Sequence, residues 1–313
     1  MSEWFTDDFK RSRVAFAKFN VKLDSPSKDG YLRRLSFRNG GQIFFTADAL
    51  PLNSATARSL AHDKLATYQV LEEMDIVVPN GFAFFASEFR QRETHVESHL
   101  LFERLPNDLL RRFPKIADKN LKMIVKPGQE SRGYMVSVCK TFFEIMLCAR
   151  DILTVCHYGL VQEYVEGPEY RVVILNDKPI VVYKKSSSRH EKHGKIKAKH
   201  SGQDILEINS PVRGDEGVLC PIPEVPQEII TIARRANGAL GLRYSGIDIC
   251  LPGNESPAVV LEVNSNPGFD ALENDSNFDA QKVADEIARA VLELYASSRL
   301  KHYDRVSGVS NKL

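Results

Sequence analysis

Apolar positions along this chain change their period several times, and each change marks an expected element. From Ser54, a capping hydroxyl precedes ATARSLAHDKLATYQVLEEM, in which Ala57, Leu60, Ala61, Leu65, Tyr68 and Leu71 share one face at helical spacing. That pattern predicts one helix over 54–73. Val78-Pro79-Asn80-Gly81 interrupts it, GFAFFAS reads as a strand, and FRQRETHVESHLLFERL reads as an amphipathic helix stopping before Pro106. NLKMIVKP is a strand running into the loop GQESRG, YMVSVC a returning strand, TFFEIMLCARDIL a helix and GLVQEYV another strand. EYRVVILN and KPIVVYKK, rich in β-branched residues around Asn176-Asp177, predict a hairpin.

Beyond a polar run, VPQEIITIARRANGALG predicts a helix, Leu242 to Leu251 and Ala258 to Val263 two strands, and DAQKVADEIARAVLELYASSRL a closing helix. The last dozen residues read as a frayed end. The first 55 or so residues alternate poorly, and the turn Asn39-Gly40-Gly41 suggests only a short hairpin or edge element there. Neither an internal repeat nor a heptad seam is present. The pattern is α+β, with strands and helices grouped into lobes.

Composition narrows the function classes. The 313 residues suffice for two or three lobes. With 42 basic and 41 acidic side chains the net charge is +1, which argues against a whole-molecule nucleic-acid footprint. Cys139, Cys148, Cys156, Cys220 and Cys250 lack metal-type spacing and read as core residues of a reducing cytoplasm. No window has the ~18 apolar residues of a membrane-spanning helix, and the start MSEWFTDDFKRSR has no apolar leader.

The candidate chemistry begins in VVLEVNSNPGF, where a strand breaks into Glu262 and Asn264, which period-2 geometry puts on one face. Asp248, in YSGIDIC, lies on an expected neighbouring strand. Two carboxylates and an amide oxygen make an oxygen-only site suited to Mg²⁺ with substrate phosphates. Lys126 ends a strand at Val125-Lys126-Pro127, a placement that aims an ammonium at phosphate oxygens, and GQESRG offers backbone N–H groups beside it.

Read together, DKLATYQVLEEMDIVVPNG, MIVKPGQESRG, LVQEYVEGPEYRVVI, SGIDI and LEVNSNPG resemble, in order and spacing, the motifs of ATP-grasp ligases. Within that superfamily the chain looks most like the modules of cyanophycin synthetase and bifunctional glutathione synthetase, with D-alanine–D-alanine ligase and ribosomal-protein glutamate ligase further off. The resemblance implies an ATP-grasp fold of two α+β lobes gripping ATP: a reduced N-terminal region over 1–57, an N-terminal lobe over 58–158, and a C-terminal lobe over 159–313.

It also implies roles for individual residues. Lys64, Lys126 and the loop residues Ser131, Arg132 and Gly133 would contact the phosphates. Gln162 and the backbone of Glu163 and Val165 would address adenine, and Glu169 the ribose. Arg171, with Lys184 or Lys185, would face the transferring phosphoryl group, and Asp248, Glu262 and Asn264 would hold two Mg²⁺ ions, with Mn²⁺ as a substitute. The substrates implied are a carboxylate and an amine, amino acids or peptides, joined through an acyl phosphate.

Three departures stand out. Glu130 and Met135 occupy positions where the family loop often has glycine, and Gly246 stands where D-alanine ligases carry an arginine. The run from Lys184 to His200 holds seven Lys or Arg and one acid, a local +6, and reads as a lid over ATP and a carboxylate-rich substrate. Without interleaved aromatics, it does not read as a nucleic-acid site. The short N-terminal region allows a homodimer that completes the acceptor site. Two other readings share these motifs: a non-catalytic nucleotide-binding regulatory module, and a ligase acting on protein tails.

Overall fold

The computed structural model describes residues 4–86, 111, 122–129, 135–185, 194–200, 203–210, 217–253 and 256–307. The helix expected over FRQRETHVESHLLFERL lies outside the described residues.

Helix α1 (Trp4–Ala17) opens the chain, followed by an antiparallel meander of β1 (Lys22–Asp24), β2 (Leu32–Ser36) and β3 (Gln42–Thr46). The hairpin expected at Asn39-Gly40 is present, with Gly40 at φ 82° and the Phe37 N–H donating to Gly41 O. The helix and the third strand are additional to it. Their charged, irregular pattern hides them, because they are held by packing on the distant C-terminal helix and not by a strong local period.

The single helix expected from Ser54 is two, α2 (Ala55–His62) and α3 (Lys64–Glu73). Ser54 Oγ accepts from the Ala57 N–H as expected. Asp63 then ends α2 and caps α3, its Oδ1 accepting from the Ala66 N–H. A capping Asp is compatible with helix-period spacing on both sides, so the pattern alone does not show the break.

A four-stranded antiparallel sheet follows, in the order β4 (Gly81–Phe85), β7 (Tyr158–Glu163), β5 (Met123–Pro127), β6 (Ser137–Cys139). Its back is covered by α4 (Phe142–Val155), which starts with a Thr141/Glu144 capping box and buries Ile145, Met146, Ala149 and Ile152 against Phe84, Met123, Val125 and Val161. Period 2 turns Lys126 and Gln162 to the opposite, front face.

The second sheet has five antiparallel strands, in the order β12 (Gly217–Leu219), β9 (Lys178–Lys185), β8 (Glu169–Leu175), β13 (Tyr244–Cys250), β14 (Val259–Asn264). The β8–β9 hairpin turns at Asn176 and Asp177, both at positive φ (47° and 63°), the pairing a two-residue primed turn demands. One face, with Val172, Val182, Ile247, Ile249, Val260 and Val263, packs on α5 (Gln227–Ala239) and on α2 and α3. The other face is apolar at one end, where Val173, Leu175, Val181 and Tyr244 meet Ala15, Phe16, Leu35, Phe45 and Val291 of the meander and of α6 (Ala280–Ser307). Towards its other end it turns charged, with Arg171, Lys185, Asp248 and Glu262.

Strand β7 pairs within the first sheet, so the segment 164–168 parts the lobes, beyond the 158/159 border expected from sequence. A separate two-stranded antiparallel hairpin, β10 (Gly194–His200) and β11 (Gln203–Ser210), lies with β11 beside β6, an edge strand of the first sheet. No described helix is long and apolar enough to cross a membrane.

Candidate active site

Strand β13 is buried along its whole length, and Asp248 within it is 2% exposed. A carboxylate this deep needs charged partners, and neighbouring strands supply them. Arg171, directly opposite on β8, donates Nε to Oδ1 at 2.5 Å and Nη2 to Oδ2 at 2.6 Å, and Lys185 Nζ donates to Oδ2 at 2.9 Å. Lys185 also lies 3.6 Å from Glu169. Burial by itself would push the Asp248 carboxyl up; Arg171 and Lys185 outweigh it and hold the group well below the usual carboxylate range. Arg171 and Lys185 are raised in turn, since the Asp248 carboxylate overcomes their burial.

The register corrects one sequence assignment. Lys184 pairs with Tyr170 and Tyr183 with Arg171, so Lys184 lies exposed on the opposite face, and Lys185 is the lysine that turns to the site.

On the other side of β13, Glu262 stands opposite Asp248 and Asn264 opposite Gly246, on one face as period 2 requires. A bulge at Leu261 interrupts the ladder just before Glu262. Lys64 Nζ, from the first turn of α3, is 3.5 Å from Glu262 Oε1.

The front of the first sheet faces these groups. Lys126 Nζ donates to Tyr68 OH at 2.8 Å, and Tyr68 OH donates to Leu261 O, the carbonyl of the bulge, at 2.6 Å. Gln162 Oε1 lies 3.4 Å from the same hydroxyl. Tyr68 thereby ties Lys126 of the first sheet to strand β14 of the second. Burial lowers the Lys126 ammonium to about 8, against the pull of Glu262 and Asp248.

The chain just after β5 is fastened at Asp63. Besides capping α3, its carboxylate accepts from Tyr158 OH at 2.6 Å and Gln129 Nε2 at 3.1 Å, while the Lys64 N–H donates to Gly128 O at 2.9 Å. Ser131, Arg132, Gly133 and Glu130 lie outside the described residues. Met135 adopts φ 53°, the left-handed backbone that a glycine would take there without steric cost.

At the lobe border, the Glu163 N–H donates to Asn80 O at 2.9 Å and its side chain accepts from the Asn80 N–H at 3.0 Å, so that donor is committed within the lobe. The Cys250 thiol lies 3.7 Å from Val165 O, and the Leu251 N–H donates to Pro168 O at 3.0 Å, fastening 164–168 along the end of β13.

Gly246 is explained by its neighbours. A Cβ there would stand 2.7 Å from Pro267 Cβ and 3.5 Å from Arg171 Cδ, leaving no room for an arginine. Pro267 fills that space, and the Arg171 side chain lies beside it on the adjacent strand.

Among the described residues no group of three or more His, Cys, Asp or Glu would hold a metal by itself. The donors are two carboxylates and one amide on adjacent strands, with Lys64 and Lys126 buried and Arg171 and Lys185 half-buried around them. That set fits Mg²⁺, which takes one or two carboxylates and completes its shell with phosphate oxygens and water.

Sequence reasoning did not single out Tyr68 or Asp63 as site residues, and it left Lys184 and Lys185 as alternatives. Tyr68 had a readable signal: it lies four residues after Lys64 and so shares its helix face. Lys185 is distinguished from Lys184 only by strand register.

The ATP-grasp domain family matches residues 61–268, over half of the chain. A probable alpha-L-glutamate ligase of Pseudomonas aeruginosa is 25% identical over 264 residues, covering 82% of this chain and 71% of that protein. A D-alanine–D-alanine ligase of Carboxydothermus hydrogenoformans is 26% identical over 217 residues, 69% of this chain and 62% of that one. Among solved structures, D-alanine–D-alanine ligase from Bacillus anthracis superposes with a TM-score of 0.53 at 14% identity, over 79% of this chain and 72% of that chain. A bifunctional glutathione synthetase from Pasteurella multocida gives 0.52 at 13% identity, over 92% and 45%. At these identities the structures speak for the fold alone; the family match and the arrangement of two facing sheets agree, and the chain belongs to the ATP-grasp family.

Proposed function

We propose that this chain is an ATP-dependent ligase that joins a carboxylate to an amine through an acyl phosphate, with amino acids or peptides as substrates. The observation that carries this reading is the convergence of four cations, Lys64, Lys126, Arg171 and Lys185, on the oxygen donors Asp248, Glu262 and Asn264 between two sheets. Such a set stabilises and positions phosphoryl charge, and it is not built around a nucleophile–base pair.

In the first step a substrate carboxylate oxygen attacks the γ-phosphorus of ATP, and the bond to the β-phosphate oxygen breaks to release ADP. Lys64 and Lys126 hold the phosphates from the α3 and β5 side, and Arg171 and Lys185 meet the transferring group from the large sheet. In the second step an amine attacks the acyl carbon, loses a proton, and phosphate departs to leave the amide. Asp248, Glu262 and Asn264 would hold two Mg²⁺ ions, which when bound supply Lewis-acid neutralisation of the β- and γ-phosphates. Arg171, beside Gly246 on the adjacent strand, is the cation placed to steady the tetrahedral stage of the second step. The names of the relatives, glutamate and D-alanine ligases, favour amino acids as the carboxylate or amine partner.

The test is release of ADP from ATP and Mg²⁺ in the presence of a broad amino-acid and dipeptide panel, with mass spectrometry of the products. Substrate-dependent ADP is expected, and Glu262→Ala should abolish it. Nucleotide binding with no substrate-dependent ADP across the panel would leave a regulatory nucleotide-binding module instead.

A further inference from the structure

The cations and carboxylates of the site are already paired with one another. Both oxygens of Asp248 are taken, by the Arg171 fork and by Lys185. Lys64 is within ion-pair distance of Glu262, and Lys185 also of Glu169. We infer that Lys185, together with Arg171, serves Asp248 as an internal counter-ion, so that divalent metal and nucleotide load as one unit by exchange of ion pairs. This rests on the ligase reading above, in which the same residues meet metal and phosphate.

The physical case follows from what each partner would meet alone. A divalent ion arriving by itself must draw Asp248 away from two cations, leaving Arg171 without its counter-charge and Lys185 with only the longer pair to Glu169 in a low-dielectric site. A polyphosphate arriving by itself must draw off those cations and leave a buried carboxylate beside its own negative oxygens. When both arrive, the carboxylates turn to the metal and the cations to the phosphates, and every charge keeps a partner. The favourable route is a simultaneous exchange, and reciprocity then requires each ligand to raise the affinity of the other by the same factor.

Lys185 is the residue on which this can be tested with least damage to the fold. Arg171 makes the bidentate contact from the centre of the sheet, whereas Lys185 adds a single bond from the last position of β9. Its neighbour Lys184, exposed on the other face, is the natural control.

The experiment measures Mn²⁺ binding to the full chain from the free-ion electron paramagnetic resonance signal, with and without a non-hydrolysable ATP analogue. Wild type is expected to bind Mn²⁺ at least about tenfold more tightly when the analogue is present, within the usual range of site-to-site coupling. Phosphate oxygens on the metal would give part of that gain by themselves, so measurements without nucleotide carry the test. There, Lys185→Met should tighten Mn²⁺ binding by roughly tenfold, as expected when a competing charge-assisted contact is removed. Lys185→Arg should restore the wild-type value, Lys184→Met should leave it unchanged, and the Tm of each variant checks that it is folded.

Unchanged or weaker Mn²⁺ binding in Lys185→Met, with the nucleotide-dependent gain intact in wild type, would overturn the counter-ion role alone. Absence of Mn²⁺ binding in wild type even with the analogue would overturn the metal-site reading and this inference with it.

Discussion

Lys126 shows how a single residue acquires its chemistry from burial. Its ammonium lies against the Tyr68 hydroxyl, and burial lowers it to about 8, below the ordinary lysine value of about 10.4. The folded chain therefore releases this proton before the unfolded chain does. Between about pH 8 and 10.4 the unfolded state binds more protons, so the cost of burying the charge is relieved and this residue's contribution to stability rises with pH. With Lys126 in its proposed role at the phosphates, nucleotide binding runs the other way, because an attracting charge is lost. ATP affinity, followed by calorimetry, is expected to fall as pH rises through about 8. In Lys126→Met it should be weak throughout, with that alkaline fall absent. The identity of Lys126 was legible in sequence from its place at a strand end before a glycine-containing loop, but its proton affinity was not, since Tyr68, Glu262 and Asp248 arrive from remote segments.

At the scale of elements, local signals and tertiary constraints divide cleanly. The Asn176-Asp177 turn, the Ser54 cap and the Thr141/Glu144 capping box use short-range chemistry, so the β8–β9 hairpin and the starts of α2 and α4 could be read directly. The break between α2 and α3 could not. Asp63 is chosen as a cap there because Tyr158 and Gln129 also need its carboxylate, and those residues lie far along the chain. Gly246 is a second case. Sequence marked it as a missing arginine, and the sheet shows Pro267 lying across it. Gly246→Ala is expected to lower stability by about 1–3 kcal/mol, the usual cost of overpacking. A thermal melt checks this; an unchanged Tm would mean that the 265–269 segment moves aside without cost.

At the scale of the whole molecule, a separate hairpin meets the edge of the small sheet. Hairpin β10–β11 is a separate two-stranded sheet whose strand β11 lies beside edge strand β6 of the small sheet. The basic run anticipated as a lid thus includes one strand of this hairpin, β10, while 186–193 lie outside the described residues. Replacing residues 187–210 with a short Gly-Ser linker should raise KM for ATP by about tenfold or more, with a smaller change in kcat, if closure holds the nucleotide. Steady-state kinetics decide it, and an unchanged KM would remove the lid role.

Sequence by itself determined the α+β composition, most element positions and the residue types of the site, because periodicity, capping and turn chemistry act over a few residues. Glu262 and Asn264 share a face for that reason, and any strand through them would place them so. Only the tertiary structure decided that Lys185 and not Lys184 faces Asp248, that Tyr68 bridges the lobes, and that the N-terminal region is a helix and meander seated on the large sheet. Each of these depends on strand register or on contacts between segments far apart in the chain. Such contacts are set by which apolar faces can be buried together, a property of the assembled sheets that no local window of sequence contains.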